Sequence, residues 1–247
     1  MNPSPPLTRL DQLSPQLTNQ GWAVLDQQAL AGLTGNSPEQ FMAWESFWLD
    51  LPVDRHLRDG GRYRRRRHGC FVVEGQACRA APNRPHWQPL EYNALHGGIQ
   101  RQFEALPDRL VADPAWACLL VTLAQQASVL RGPQRWFVEA HPFRIDAIDG
   151  IGRPTPEGAH RDGVDLVAVL FVGRHNVKGG ETRVFDARGP QGVRFTLDEP
   201  WSVLLLDDER VIHESTPIQP MDAAQPSWRD TLVLTFRSQG FQGPPED

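Results

Sequence analysis

Lysine is almost missing from this chain of 247 residues: Lys178 is the single one, and arginine supplies the rest of the 25 basic residues. Against 30 Asp and Glu they leave a formal net charge of −5. Bulk nucleic-acid binding wants a basic surface, so nucleic acid is not an expected partner. Long apolar runs are missing as well. The longest strongly apolar stretch, Trp116 to Ala124, falls well short of the roughly 18 residues a membrane span needs, so no membrane partner is expected. Met1 to Pro6 contain no basic stretch leading into an apolar one, so no signal peptide is expected and the cytoplasm is the expected compartment. Cysteine is sparse and odd in number. Cys70, Cys78 and Cys118 fit reduced thiols better than a disulfide frame, and the spacing of the first two is not a common zinc spacing.

What is present is an ordinary globular composition, 40% hydrophobic and 22% charged, long enough to bury a core. The expectation is one domain over residues 1–247. A helical N-terminal part, about 1–130, packs on a barrel core of about 131–237. Residues 1–7 and 240–247 read as Pro/Gly-rich tails.

Proline (22) and glycine (21) are spread along the chain and punctuate short segments, which suits a loop-rich β protein. The first half carries the helical signals. Leu7 to Leu17 is weakly amphipathic. Ser37-Pro38 opens a helix with a cap and a proline at the first helical position, and Phe41, Trp44, Phe47 and Trp48 then share one face. Asp113-Pro114 opens another, with Trp116, Leu119, Leu120, Leu123 and Ala124 on its apolar side. Gly21 to Leu25 is a short strand. The second half reads as strands: Trp136–Ile148, Leu166–Val172, Thr182–Asp186, Val193–Thr196, Trp201–Leu206, Val211–His213 and Asp230–Phe236. Helices first and strands later argue against a parallel α/β sheet. The expected fold is mainly β with flanking helices, an antiparallel barrel or jelly roll.

Pro156 to Gly163 carries the chemistry. In an extended segment residues i and i+2 point the same way, so His160 and Asp162 face one cavity while Arg161 faces away. His213, 51 residues beyond Asp162, lies past the apolar strand and the Asp207-Asp208 turn and can oppose them. Two histidines and one carboxylate with open positions make the facial set of non-haem Fe(II) oxygenases. His-x-Asp alone is a weak signal, and a solvated loop histidine beside a capping Asp is the plain alternative. A zinc hydrolase could use the same ligand types, but no His-Glu-x-x-His helix is present. On the last strand Arg229, Thr231, Val233 and Thr235 share one face. An arginine fork and hydroxyls there suit a carboxylate ligand, or the arginine lies on the surface at an edge.

His160-x-Asp162, His213 and Arg229-x-Thr231 together resemble the Fe(II)/2-oxoglutarate-dependent dioxygenases. Further blocks are similar to the bacterial subfamily of L-isoleucine 4-hydroxylase, some of whose relatives carry biofilm or stress labels. These are Glu91-Tyr92-Asn93, Gly97-Gly98 through Phe103, His141-x-x-Arg144, Gly179-Gly180-Glu181, Thr216-Pro217, Arg229-Asp230-x-Leu232 and the arginine-rich Arg62–Arg67. The resemblance covers roughly residues 55–237. Arg229 falls slightly late after His213, and a loop from Pro220 to Pro226 can restore its position.

The resemblance implies a double-stranded β-helix, cupin-like, with Fe(II), 2-oxoglutarate and O2. It places the metal on His160, Asp162 and His213, and the far carboxylate of 2-oxoglutarate on Arg229 and Thr231. The implied substrate is a small molecule, a free L-amino acid hydroxylated or oxidised at sulfur, with release of succinate and CO2. His141 and Arg144, on the strand before the metal motif, are candidates for lining the substrate pocket; for holding the substrate carboxylate Arg144 is the first choice and Arg64 or Arg66 the second. His56, His68, His86, His96 and His175 read as ordinary surface or loop histidines, and the Arg62–Arg67 run as a solvated face. The alternative to an enzyme is a non-catalytic sensor or binding protein on the same scaffold, acting in stress response or biofilm formation.

Overall fold

Two periodicities, one near 3.6 and one of 2, sort the chain into a helical layer and a set of strands; the computed structural model describes residues 3–244. The outermost tail residues, 1–2 and 245–247, lie outside the described residues. The helices are α1 (Leu13–Gln20), α2 (Gln27–Thr34), α3 (Pro38–Ala43), α4 (Asp108–Val111) and α5 (Pro114–Arg131). The early strands are β1 (Trp22–Leu25), β2 (Arg64–Arg66), β3 (Gly69–Glu74) and β4 (Ala77–Ala81). β5 (Trp136–Asp146), β6 (Leu166–His175), β7 (Val177–Gly179), β8 (Thr182–Asp186) and β9 (Gly192–Phe195) follow. β10 (Val203–Asp207), β11 (Val211–Ser215), β12 (Ile218–Pro220) and β13 (Trp228–Arg237) complete the set.

The large sheet runs β1-β10-β6-β13-β5-β3-β4, with β2 also paired to β5. A three-stranded sheet, β11-β8-β9, and a β12-β7 pair stand against it. All of these pairings are antiparallel, and the architecture is a jelly roll with helices on one side. Strand alternation explains the layering. On β6, Leu166, Ala168 and Leu170 join Leu232, Leu234 and Phe236 of β13 in a core shared with Trp116, Leu119 and Leu123 of α5. The intervening Val167 and Phe171 face the other way and meet Val184, Phe195 and Val211 of the small sheet. Strands buried on both faces read as continuous apolar runs, and this is the pattern of β6 and β10.

The helix signals act as expected at their starts. Asp113 caps α5 by accepting from Ala115 N, with Pro114 at the first position. Ser37 and Gln40 form a reciprocal capping box on α3. The aromatic stripe that follows does not stay α-helical: Trp44–Trp48 tightens into 3-10 turns. Trp44 Nε1 donates to Asp113 Oδ2, and Trp48 Nε1 donates to the carbonyls of Phe143 and Thr231. These long-range hydrogen bonds hold the tighter path.

The short strand expected at Gly21 to Leu25 is β1, but the N-terminal part differs from the helical layer expected over about 1–130 in adding β2 to β4 to the large sheet as well. The stretch from Pro220 to Pro226 does loop out, and Asn176 Nδ2 pins it through the carbonyls of Asp222, Gln225 and Pro226. The three cysteines are free thiols.

Candidate active site

A cavity lies between the large sheet and the small one. Its floor is the inward face of two paired strands: Glu139, His141, Phe143 and Ile145 from β5, and Arg229, Thr231, Val233 and Thr235 from β13. β2 supplies Arg64 and Arg66, and the long connection before α4 supplies His86, Gln88, Asn93 and Arg101. The roof is the segment around His160 and Asp162 together with His213 on β11.

Backbone pairing brings the two histidines together. His160 N donates to His213 O and His213 N donates to His160 O, each at 3.0 Å. Their rings lie 4.6 Å apart, centre to centre. Asp162 bridges them, with Oδ1 at 3.8 Å from His160 Nε2 and Oδ2 at 3.8 Å from His213 Nε2. All three ligand atoms fall within 4.8 Å of one another.

The surroundings fit a divalent metal. His160 Nδ1 lies 2.9 Å from the carbonyl of Gly158, so Nδ1 carries the proton and Nε2 presents its lone pair to the cavity. Burial, and then the charge of His160, hold His213 well below the ordinary histidine value, so this imidazole is neutral. His160, which burial penalises, is nonetheless held above its ordinary value by Asp162 and Glu157. Gln88 Nε2 donates to Asp162 Oδ1 at 3.1 Å.

Behind the loop sits Asp208, whose Oδ2 accepts from the backbone N–H of Asp162, Gly163 and Val164 at 3.1, 2.7 and 3.1 Å. Burial first, and the adjoining Asp162 second, push the Asp208 carboxyl up to about 7. Two buried carboxylates this close favour a cation between the imidazoles, because its charge relieves both. The neutral imidazole of His213, the imidazole of His160 once a metal has displaced its Nε2 proton, and a carboxylate with open space beyond them form the donor set of a non-haem iron site.

Arg229 is the second notable group. It is 2% exposed, yet its Nε and Nη2 find no hydrogen-bond partner. Burial, then the charge of Arg174, lowers its pKa to about 10. The Phe171 ring, 5.6 Å away, covers one side. Gly180, at φ +71°, leaves room for it: a Cβ there would lie 3.2 Å from Arg229 Cδ. An orphaned buried guanidinium beside Thr231 is a seat for a carboxylate.

Other expected positions are redistributed. His141 does line the cavity, and its Nδ1 accepts from Arg66 Nη2 at 2.6 Å, which leaves the proton on Nε2. Arg144 does not line it, and the substrate contact expected of it is overturned. Glu139, His141, Phe143 and Ile145 point inward, so Arg144 points outward. There it pairs with Asp230 through two hydrogen bonds, 2.8 and 2.6 Å, and stacks 4.5 Å over Trp228.

The solvated-face reading of Arg62–Arg67 holds for Arg65 and Arg67, which pair with Asp146 and Glu104. It fails for Arg64 and Arg66, which are buried and face the cavity. His68, His86 and His96 are buried too, against the surface reading. His68, His86 and His141 close around Glu139, whose Oε1 lies 2.9 Å from His68 Nε2 and 3.3 Å from His86 Nδ1. The Glu139-x-His141 alternation on β5 is the signal that would have placed Glu139 beside His141. Gln88, Arg101 and Glu157 lie in loops and gave no periodic signal. Arg161 faces away from the triad as expected, with its guanidinium 5.8 Å from the Tyr92 ring.

A jelly roll, a two-histidine-one-carboxylate cluster and an unpaired arginine in the same cavity define a class of non-haem iron oxygenase. Residues 45–235 match the 2OG-Fe dioxygenase family, and the chain belongs to that family, whose members use Fe(II), 2-oxoglutarate and O2. Among solved structures, it is similar to a BsmA homologue from Methylobium petroleophilum PM1, with 55% identity, a TM-score of 0.93 and 98% of each chain covered. It also shares its fold with IDO from Bacillus thuringiensis, at 15% identity and a TM-score of 0.74, over 93% of this chain and 99% of that one. The 3(1)-hydroxy-L-isoleucine 4-dioxygenase of Pantoea ananatis is 22% identical over 160 residues, 62% of this chain; the match spans 64% of that enzyme's length. No helix among the described residues is long and apolar enough to cross a membrane.

Proposed function

We propose that the protein is a 2-oxoglutarate-dependent dioxygenase that hydroxylates, or oxidises at sulfur, a small free L-amino acid, releasing succinate and CO2. The chain acts as one dioxygenase domain. His160, Asp162 and His213 hold the iron, and Arg229 with Thr231 takes the far carboxylate of 2-oxoglutarate. The observation that carries this reading is the unpartnered Arg229, 2% exposed, in the same cavity as the triad. Burying a charge without a partner is costly, and a ligand carboxylate removes that cost.

Bound iron with 2-oxoglutarate and O2 supplies the oxidising power; the protein supplies placement. Asp208 holds the backbone of the metal loop through three successive amides, and Gln88 orients the Asp162 carboxylate. Val169 and Val233 give the cavity apolar wall that keeps water from the reacting centre. The amino-acid class draws support from the Pantoea enzyme, whose name specifies an L-isoleucine derivative. A panel of free amino acids with Fe(II), ascorbate and 2-oxoglutarate, read by succinate and by product mass, tests it. The expected result is succinate release stimulated by at least one amino acid with a gain of one oxygen atom. No stimulation by any of them would favour a binding protein on the dioxygenase scaffold.

A further inference from the structure

The cavity holds charges that the proposed function leaves unused. Arg64 donates through Nε to Asp54 at 2.8 Å and is neutralised there. With Arg229 given to 2-oxoglutarate and Asp162 to the metal, Arg66, Arg101, Glu139 and Glu157 remain among the lining charges. Two of these are engaged by neighbours. Arg66 bonds His141 and is sandwiched 4.0 Å from the Phe103 ring and 4.5 Å from the Phe143 ring. Glu139 is flanked by His68 and His86.

Arg66 Nε and Arg101 Nε both lack a partner, but among the described residues no aromatic ring covers Arg101 as Phe103 and Phe143 cover Arg66, and Glu157 has one oxygen unpartnered. Arg101 is 1% exposed; its Nη2 donates to Gln88 Oε1 at 2.9 Å, and its Nε has no partner. Glu157 Oε2 is buried without a partner, and Oε1 has the His160 imidazole at 3.5 Å. Both groups line the same cavity. Among the described residues they form no ion pair with each other: Arg101 bonds Gln88, and Glu157 approaches His160. Opposite charges held apart in a buried cavity are costly in the free protein and complementary to a ligand that carries both.

We propose that Glu157 receives the α-ammonium group and Arg101 the α-carboxylate of the substrate, so that the cavity selects a zwitterionic free amino acid. This rests on the amino-acid reading above and assigns its recognition. The charge balance agrees. The two positive charges of Fe(II) and the two negative charges of 2-oxoglutarate cancel, so a net-neutral ligand adds no uncompensated charge. A monocarboxylate or an amine leaves one of the two protein charges unpaired, and a peptide-bonded residue lacks one or both of the α-groups.

The test is calorimetric binding to Co(II)-loaded protein with 2-oxoglutarate in the absence of O2. The probes are L-leucine, L-isoleucine and L-methionine. The tightest is then compared with the same side chain carrying the carboxylate alone and the amine alone. Wild type is expected to bind the amino acid at least tenfold better than either analogue. Glu157→Gln should weaken the amino acid tenfold or more and leave the carboxylate-only analogue unchanged. Arg101→Lys, which keeps the charge but loses the fork, should weaken the amino acid and the carboxylate-only analogue together and spare the amine. The Co(II) absorption band and the unfolding temperature check that each variant keeps its metal and its fold. If an amino acid binds but Glu157→Gln weakens it and the carboxylate-only analogue alike, the assignment is overturned while the amino-acid reading stands. If none of the three binds to wild type, both fall.

Discussion

Replacing Arg229 by methionine should move two measurements in opposite directions. The guanidinium is buried, and burial, then Arg174, lowers its pKa from the usual arginine value to about 10. At pH 7 it is protonated both folded and unfolded, so the whole cost of burying the charge falls on the folded state. That shift corresponds to about 3 kcal/mol, an upper figure for a buried group. Methionine keeps a long flexible chain without the charge. With half of the cost recovered and a protein of this size moving 2–4 °C per kcal/mol, the ligand-free variant should melt about 5 °C higher than wild type. Its affinity for 2-oxoglutarate should fall at least about 30-fold, because a buried charge pair that loses one partner costs 2–5 kcal/mol. Thermal unfolding without ligand and calorimetric titration of 2-oxoglutarate into Co(II)-loaded protein measure the two effects. A lower melting temperature in the ligand-free variant, or 2-oxoglutarate affinity within about threefold of wild type, would refute the reasoning.

Three further outcomes follow from the geometry. Asp208→Asn turns an amide toward the three backbone N–H groups that the carboxylate now accepts, and metal affinity measured by Co(II) titration should fall by about 10- to 100-fold. Arg144→Ala strands the 2% exposed Asp230 carboxylate and should cost about 3–5 kcal/mol in denaturant unfolding. Its metal affinity should stay as in wild type, whereas a substrate-contacting Arg144 would give amino-acid binding loss without this instability. His86, which burial first of all pulls down to about 3, stays neutral in the fold while the unfolded chain takes up its proton near 6.5. The unfolded state therefore binds more protons between those values, and stability falls as pH drops below 6.5, by up to about 1.4 kcal/mol per pH unit from this group. His86→Gln should flatten that slope between pH 7 and 5, and an unchanged slope in denaturant titrations would count against a buried neutral His86.

Much of this molecule could be read from the order of its residues because alternation is a strong signal where one face is apolar and the other polar. β13 shows it best: Leu232, Leu234 and Phe236 turn to the helices, and Arg229, Thr231 and Thr235 to the cavity. The His160-x-Asp162 pair and the distant His213 were visible for the same reason. Arg144 was misplaced because it sits an odd number of residues from His141, and an odd step along a strand changes faces. Arg64 and Arg66 were hidden because a run of arginines carries no polarity contrast from which to read alternation. Gln88, Arg101 and Glu157 come from connections whose paths are fixed by tertiary hydrogen bonds, such as the reciprocal backbone pair between His86 and Arg101. No local pattern encodes such a path.

The same alternation separates two demands on the sequence. On β5 and β13, the side chains that bond the sheet to its helices and those that meet the ligand occupy alternate positions of the same strands. A change at Phe143 or Thr235 reshapes what the protein can hold while Ala140, Leu234 and the tryptophans behind them keep the sheet in place. The fold shared with IDO at 15% identity shows how far sequence can vary around such a frame. Specificity in this molecule is therefore open to redesign one strand position at a time, with each inward residue having a neighbour on either side that belongs to the scaffold.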